Sequence, residues 1–247
     1  MFDLHTISFL LIFIAAGLVK GVTGMGLPTV AMGLLGLLMP PQAAAALLVL
    51  PSLLTNLWQL LAGPALAQIV RRLWLMMTGI IIGTLAGSSL LIGLNPRWSA
   101  LALGAALIVY AGYALCSPVF QVSGRVEKWL SPLMGGLTGV ITGATGGFVI
   151  PAVPWLQALG FRRDELVQAL GLSFTLSTLA LATGLALHDG WHDDAWLLSA
   201  LALLPALLGM WLGQRIRSRL SPQRFRQGFL LFLLALGIEL IARGWLV

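Results

Sequence analysis

Apolar residues fill most of the chain in long runs separated by short polar or proline-containing segments. Eight apolar segments lie at approximately residues 4–38, 42–62, 71–92, 97–116, 126–158, 164–187, 194–214 and 223–246. Most are close to the roughly 20 residues that an α-helix needs to cross a bilayer. The pattern predicts an all-α membrane protein with many spans and short connecting loops.

The first and fifth segments each contain a polar, glycine-rich break. The first break reads Gly-Leu-Val-Lys-Gly-Val-Thr-Gly-Met-Gly-Leu-Pro over residues 17–28, and the second covers residues 135–151 and also ends in proline. Irregular backbone cannot face lipid, because its free N–H and C=O groups find no water there. Both breaks must therefore be buried in protein or line a cavity. A helix that restarts there offers N–H groups and a positive dipole end to an anion.

The chain also repeats itself. Residues 17–18 and 23–24 match residues 136–137 and 142–143 at a shift of 119, and residues 39–56 match residues 161–178 at a shift of 122. The sequence therefore predicts two repeats, residues 1–120 and 121–247, within one integral membrane domain. Each repeat is a broken segment followed by three transmembrane helices, an arrangement common in secondary transporters.

Loop charges indicate that the two repeats are inverted. Arg71 and Arg72 follow the second segment, whereas the equivalent loop of the second repeat carries Asp189, Asp193 and Asp194. By the positive-inside rule, these equivalent loops lie on opposite sides of the membrane. Inversion needs an odd number of crossings per repeat, so we expect each broken segment to be a re-entrant helical hairpin.

Composition removes several classes of protein. Only 9% of residues are charged, against about 25% in a soluble domain. The net charge of +6 comes from arginines in short loops, as the positive-inside rule predicts, and does not indicate a nucleic-acid partner. The single cysteine excludes an intrachain disulfide and a multi-thiolate metal site. Because no hydrolase elbow, zincin motif or P-loop occurs, we expect neither an enzyme nor a cofactor.

Polar side chains follow the helix after each break. Ser52, Thr55, Asn56 and Gln59 lie on one helical face, and Ser173 and Ser177 occupy the equivalent helix. Two breaks and two polar faces together predict one anion site near the membrane midplane. The candidate binding residues are Lys20, Thr23, Gly24, Met25, Gly26, Ser52, Asn56, Gln59, Thr142, Gly143, Ala144, Thr145, Gly146, Gly147, Ser173 and Ser177.

Each of these features has an alternative interpretation. Glycine and hydroxyl residues also serve close helix packing. Lys20 binds the anion or takes part in coupling, or else only snorkels or caps a helix end. The shift of 119 places Gly139 opposite it and so makes it asymmetric. His188 and His192 could bind a metal but fit a wet extracytoplasmic turn better. Glu239 fits an ordinary i, i+4 ion pair with Arg243 better than a proton carrier.

The two breaks resemble the motif of the TauE/SafE family, prokaryotic membrane proteins linked to export of sulfite and organosulfonates. Gly139, Gly143, Gly146, Gly147 and Pro151 match the family's glycine-rich motif. The first break departs from it, with residues 27–28 standing where further glycine is usual. The resemblance covers nearly the whole chain. It implies a secondary transporter of small sulfur-containing anions working by alternating access.

These observations also set expectations about surroundings and partners. We expect a multi-pass protein of the bacterial inner membrane whose partners are a small anion and the lipid bilayer, with a homodimer as one possible assembly. From the residues alone, an anion-selective channel and a non-transporting membrane partner subunit stay open as alternatives.

Overall fold

The chain is an all-α bundle in the computed structural model, which describes residues 4–93, 95–116, 121–147, 150–188 and 195–246. Its helices are α1 Leu4–Thr23, α2 Leu27–Leu35, α3 Pro41–Ala62, α4 Leu66–Gly93, α5 Pro96–Cys116, α6 Gly124–Thr145, α7 Ala152–Ala158, α8 Arg163–Leu187, α9 Ala195–Ile216 and α10 Pro222–Leu246, with a 3₁₀ turn at Arg217–Arg219. Six of these, α3, α4, α5, α8, α9 and α10, are long and apolar enough to cross a membrane. The predicted fold class is confirmed.

The two broken segments are present as helix pairs, α1 with α2 and α6 with α7. The other helices follow the predicted apolar segments closely. One difference concerns α4, which begins at Leu66, before the predicted start at residue 71. Arg71 and Arg72 therefore lie in the first turns of α4 and not in a loop. The Gly63-Pro64 turn ends α3 and lets the next helix start early.

Glycines let the broken segments pack backbone to backbone against neighbouring helices. A Cβ atom on Gly21 of α1 would lie 2.2 Å from the carbonyl oxygen of Met210 in α9. A Cβ on Gly143 of α6 would lie 2.4 Å from the carbonyl oxygen of Thr84 in α4. Such contacts are typical of small residues at transmembrane helix interfaces. For these glycines, the packing interpretation is therefore the one that the contacts support.

Helices α3 and α8 pack against each other, and a buried glutamine joins α8 to the end of α3. The Gln168 side chain donates from Nε2 to the carbonyl oxygens of Leu60 and Gly63 at 2.7 and 2.9 Å. Its Oε1 accepts from the N–H of Ala65 at 2.8 Å. These bonds satisfy backbone groups that the end of α3 leaves free.

Helix α3 contains Pro51, which cannot donate to the carbonyl oxygen of Leu47 four residues earlier. The Ser199 hydroxyl of α9 donates to that oxygen at 2.8 Å. The same hydroxyl accepts from the N–H of Leu50 at 3.2 Å. A side chain of the second repeat thus supports the proline site of the first.

The contacts fix the relative directions of several helices. Gly17 and Gly21 contact Ala206 and Met210 in that order, so α1 and α9 run parallel. Gly139 and Gly143 contact the backbone around Ile80 and Thr84 in the same way, so α4 and α6 are also parallel. These two matching pairs are what a duplicated chain requires. The inverted orientation and the re-entrant hairpins stay predictions.

Candidate functional site

The first break is a tight turn between α1 and α2. Gly24 and Gly26 have φ angles of +80° and +103°, which favour glycine. The N–H of Gly24 donates to the carbonyl oxygen of Lys20 at 2.8 Å. The Thr23 hydroxyl donates to the carbonyl oxygen of Val19 at 2.9 Å and accepts from the N–H of Met25 at 3.1 Å. Thr23, predicted as an anion donor, is therefore engaged in holding the turn.

Lys20 lies one helical turn before Gly24 and is buried, with 1% of its surface exposed. Its Nζ donates to Oδ1 of Asn56 in α3. The ion pairs of the described residues join Arg72 to Glu127, Arg162 to Glu165 and Arg243 to Glu239, and none includes Lys20. A buried ammonium without a carboxylate is costly unless a ligand or another charge compensates it.

The polar face of α3 contacts the first break. Gln59 donates from Nε2 to the carbonyl oxygen of Gly24 at 2.6 Å. Within the described chain, the Asn56 Nδ2, Gln59 Oε1 and Ser52 Oγ atoms are buried and have no hydrogen-bond partner. Thr55 bonds only to its own helix, at the Pro51 carbonyl oxygen. Asn56 thus has an unused amide donor beside the Lys20 ammonium.

Two cavities open beside this turn. One, of about 270 Å³, is lined by Lys20, Gly24 and Gln59 together with Gln214 and Arg217. The other, of about 210 Å³, holds Thr23 and Met25 and is lined mainly by apolar residues with Tyr110, Gln157, Arg163, Arg217 and Arg226. Because Arg217 lines both cavities, they approach each other at the arginine-rich end of the bundle.

Basic side chains line both cavities. Burial lowers the pKa of the Arg217 guanidinium, and the nearby positive charge of Arg163 lowers it further, while the Asp164 carboxylate opposes that effect. Asp164 also lines the larger cavity. The positive charge of Arg163 thus disfavours the charged form of Arg217, and an anion between the cavity walls would relieve that repulsion.

The turn of the second break lies three residues later than the repeat shift of 119 predicts. Helix α6 continues to Thr145, so Thr142 and Gly143 are inside the helix and not at the turn. The turn glycine is Gly146, whose φ angle is +69° and whose N–H donates to the Thr142 carbonyl oxygen at 2.8 Å. The match of Gly143 to the turn glycine Gly24, at a shift of 119, is therefore wrong. Its close packing against α4 keeps α6 helical through this position.

This turn repeats the hydrogen bonds of the first. The Thr145 hydroxyl donates to the carbonyl oxygen of Ile141 at 2.7 Å and accepts from the N–H of Gly147 at 3.1 Å. Thr145 therefore corresponds to Thr23 at a shift of 122, the same shift that relates residues 39–56 to 161–178. The three extra residues of the second repeat therefore lie before its turn. The shift of 119 that matched residues 23–24 to residues 142–143 is wrong.

The corrected register changes the counterpart of Lys20. At a shift of 122, Thr142 and not Gly139 occupies the equivalent position. Its hydroxyl is buried and has no hydrogen-bond partner in the described part of the chain. Where the first break places a charged ammonium, the second places a neutral, unpaired hydroxyl.

The predicted residues of the second repeat do not line the two cavities. A Cβ on Gly146 would lie 2.7 Å from Met32 Cε and 3.2 Å from Ala45 Cβ. Ser173 donates to its own helix at the Ala169 carbonyl oxygen. Ser177 is buried with its hydroxyl unpaired among the described residues. Ala144 is half-buried in α6. A joint site of both breaks stays a prediction.

The arginines of the cavities were missed as site residues. Arg163, Arg217 and Arg226 line the smaller cavity beside the first break, but the sequence offered them only as a topological signal. The available clue is that Arg163 and residues 215–226 belong to arginine-rich segments, while the first break carries Lys20. Their convergence on one turn depends on helix packing that periodicity does not give.

Two other candidate interactions have different outcomes. Arg243 donates to Glu239 at 2.6 Å, which confirms the ordinary i, i+4 pair. His188 Nδ1 lies 2.9 Å from the Gly184 carbonyl oxygen. Of the residues that the structure describes, no group of three His, Cys, Asp or Glu side chains could hold a metal. His192 and the neighbouring aspartates lie outside the described residues.

An all-helical bundle with six apolar spans and polar helix breaks buried inside it defines an integral membrane protein. A family model described as "Sulfite exporter TauE/SafE" matches residues 9–240, nearly the whole chain. The chain therefore belongs to the TauE/SafE family and is a membrane transporter. Comparison with curated proteins and with solved structures gives no match.

Proposed function

We propose that the chain is a secondary transporter of small anions, namely sulfur oxyanions or organosulfonates, and that it works by alternating access around the helix breaks. The observation that carries this proposal is Lys20. Its ammonium is buried inside a membrane protein, contacts the Asn56 amide and has no carboxylate in the described part of the chain. An anion would compensate that charge.

The surrounding donors fit an oxyanion with several acceptor oxygens. Asn56 Nδ2 is a free, buried amide donor, and Lys20 has two further N–H groups in its ammonium. Arg217 lines both cavities and Arg163 lines the smaller one, and their positive charges draw anions toward the break. The Asp164 carboxylate, which lines the larger cavity, opposes anion binding there. Tetrahedral or pyramidal sulfur oxyanions match this set of convergent donors.

Alternating access is supported by the difference between the two turns. The first turn lines cavities that open at the arginine-rich end of the bundle. The second turn is packed against Met32 and Ala45 side chains. A transporter whose breaks serve opposite sides is expected to have one break open and the other closed at any time. Location in a bacterial inner membrane and a homodimeric state belong to the same proposal.

The deciding experiment is uptake into proteoliposomes of sulfite, thiosulfate, sulfoacetate, sulfate and chloride. We expect saturable transport of at least one sulfur anion, inhibited by the other anions in order of their affinity. Protein-free liposomes provide the background. Conductance that never saturates would instead identify a channel. Absence of flux for every anion, with folded protein in the liposomes, would identify a non-transporting subunit.

A further inference from the structure

A groove of about 650 Å³ runs along the start of α10 on the outside of the bundle. One end of the groove carries Arg219, Ser221 and Arg224, and the other end is formed by the aromatic rings of Phe229 and Phe232 together with Val19 of α1. The groove lies beside the smaller of the two cavities described above, since Leu220, Phe225 and Phe229 line both. It is charged at one end and apolar at the other.

We propose that this groove binds an anionic glycerophospholipid, whose phosphate lies against Arg219 and Arg224 and whose acyl chain lies against Phe229 and Phe232. The apolar end belongs to α10, one of the helices able to cross a membrane. Phe232 is 40% exposed and its neighbour Leu231 is 56% exposed. In a bilayer, lipid chains are the medium that covers such a face.

The charged end supplies what a phosphate headgroup needs. Arg219 and Arg224 are exposed, and the ion pairs of the described residues do not include them. Arginine binds phosphate oxygens through its planar set of N–H donors. The first turn of α10 begins beside Ser221, whose carbonyl oxygen accepts from the N–H of Phe225. The positive end of this 25-residue helix therefore points to the same place.

The membrane side predicted for the groove is consistent with an anionic lipid. The groove lies at the arginine-rich end of the bundle, which the positive-inside rule places in the cytoplasm. Anionic lipids attract basic clusters at that surface. Because α10 is a membrane span and the arginines lie at its end, the phosphate and the acyl chain of one lipid can reach both ends of the groove.

The groove also contacts the first break. A Cβ on Gly26 would lie 3.1 Å from Val19 Cγ1 and 3.3 Å from Phe229 Cζ. Val19 and Phe229 are therefore both walls of the groove and packing partners of the Gly26 turn. A lipid chain held against these side chains would stabilise the turn in its present position.

Native mass spectrometry of the purified full-length protein tests lipid binding directly, with phosphatidylglycerol and phosphatidylcholine of identical chains as probes. We expect phosphatidylglycerol to bind about tenfold more tightly than phosphatidylcholine, since each interfacial arginine favours anionic lipid several-fold. The double variant Arg219→Gln/Arg224→Gln should lose that preference. The matched control Arg125→Gln/Lys128→Gln removes two exposed charges elsewhere and should retain it.

A second pair of variants tests the apolar end. Phe232→Ala should weaken phosphatidylglycerol binding several-fold, whereas Leu231→Ala, next to it but outside the groove, should not. Soluble glycerophosphate should fail to displace the lipid. Equal binding of the two lipids, or equal loss in both charge variants, would overturn the proposal. Displacement by glycerophosphate at the lipid's own concentration would reduce the site to a phosphate site and also overturn it.

Discussion

The two glycine-rich breaks share a backbone turn and differ in what surrounds it. In each, a threonine hydroxyl at the helix end binds the carbonyl oxygen four residues earlier, and a glycine with positive φ follows. One turn before the glycine, the first break has Lys20 and the second has Thr142. The turn is thus a shared structural device, and the charge belongs to one repeat alone.

The ends of the two broken segments are also held differently. Arg72 forms a bidentate pair with Glu127 at the start of α6, at 2.7 and 2.8 Å, and donates to the Leu159 carbonyl oxygen after α7 at 2.9 Å. The equivalent carbonyl of the first repeat, that of Leu37, accepts from Arg243 at 3.3 Å. Charge-assisted, bidentate contacts are the stronger ones. We therefore expect the second hairpin to be the more firmly fixed.

The largest expected effect concerns the sides on which equivalent loops lie. If the repeats are inverted, single cysteines at Ala67 and Ser221 in a Cys116→Ala background react from the cytoplasmic side, and a cysteine at Asp193 reacts from the other. The measurement is labelling with a membrane-impermeant maleimide in intact and permeabilised cells. Labelling of positions 67 and 221 from opposite sides would remove the inversion, and with it the equivalence of the two breaks.

The next effect separates a tightly packed helix glycine from one that faces open space. Gly143→Val places carbon atoms against the Thr84 carbonyl oxygen, 2.4 Å from the site of a Cβ. We expect a loss of about 3 kcal/mol or more in stability, or no folded protein at all. Gly136→Val is the control, since nothing lies within 4 Å of its Cβ. Yield and thermal unfolding of both variants in detergent test this, and equal stability would contradict the close packing.

The sequence was sufficient for the helices but not for the register of the second break. Apolar runs of span length leave little choice of secondary structure in a membrane. The second break, however, contains two Thr-Gly pairs, at residues 142–143 and 145–146. The repeat alignment at a shift of 119 matches the first pair to residues 23–24. Helix α6 passes through it because Gly143 packs on α4, and only tertiary contacts reveal that.

The candidate site was predicted in part for the same reason. The helical spacing of Asn56 and Gln59 placed both on one face, and both contact the first break. Local periodicity is enough for that result. The approach of Arg163 and Arg217 to the smaller cavity involves residues far apart in the chain. No local pattern contains it.

The comparison of Lys20 with Thr142 is the sharpest test of the proposed anion site. Lys20→Met should weaken substrate binding about ten- to a hundredfold, because a charge-assisted hydrogen bond contributes roughly 1.5–3 kcal/mol. Lys20→Arg should retain part of the affinity. Thr142→Val removes a hydroxyl that has no hydrogen-bond partner among the described residues. Because no hydrogen bond is lost, the substrate affinity should change by less than about twofold.

Isothermal titration with purified variants of matched monodispersity measures these affinities. An unchanged dissociation constant for Lys20→Met would remove Lys20 from the site and leave it a helix-end cation. An equal loss in Thr142→Val would show that both breaks hold the anion, and the asymmetry proposed for them would be wrong.

The smallest effect distinguishes the two turns themselves. Gly24→Ala and Gly146→Ala both put a Cβ on a residue with positive φ, which costs about 1–2 kcal/mol. We expect similar losses of thermal stability in the two variants. A Cβ on Gly146 meets Met32 Cε at 2.7 Å, but that methionine end is flexible and can move aside.

Transport should separate these two variants where stability does not. Gly24 lines the cavity that contains Lys20, and a Cβ there would lie 3.9 Å from Gln59 Nε2 and 3.3 Å from Val167 Cγ2. The added methyl group therefore narrows the cavity beside the charge, and we expect about a fivefold lower initial uptake for Gly24→Ala, equivalent to roughly 1 kcal/mol. Gly146→Ala should stay within about twofold of the parent, because its methyl group faces packed side chains. Initial rates of anion uptake, normalised to folded protein per liposome, give the comparison. If Gly146→Ala slows uptake as much as Gly24→Ala at equal stability, then the second turn moves during transport as much as the first. The contacts of Arg72 with Glu127 and Leu159 would then not keep the second hairpin fixed.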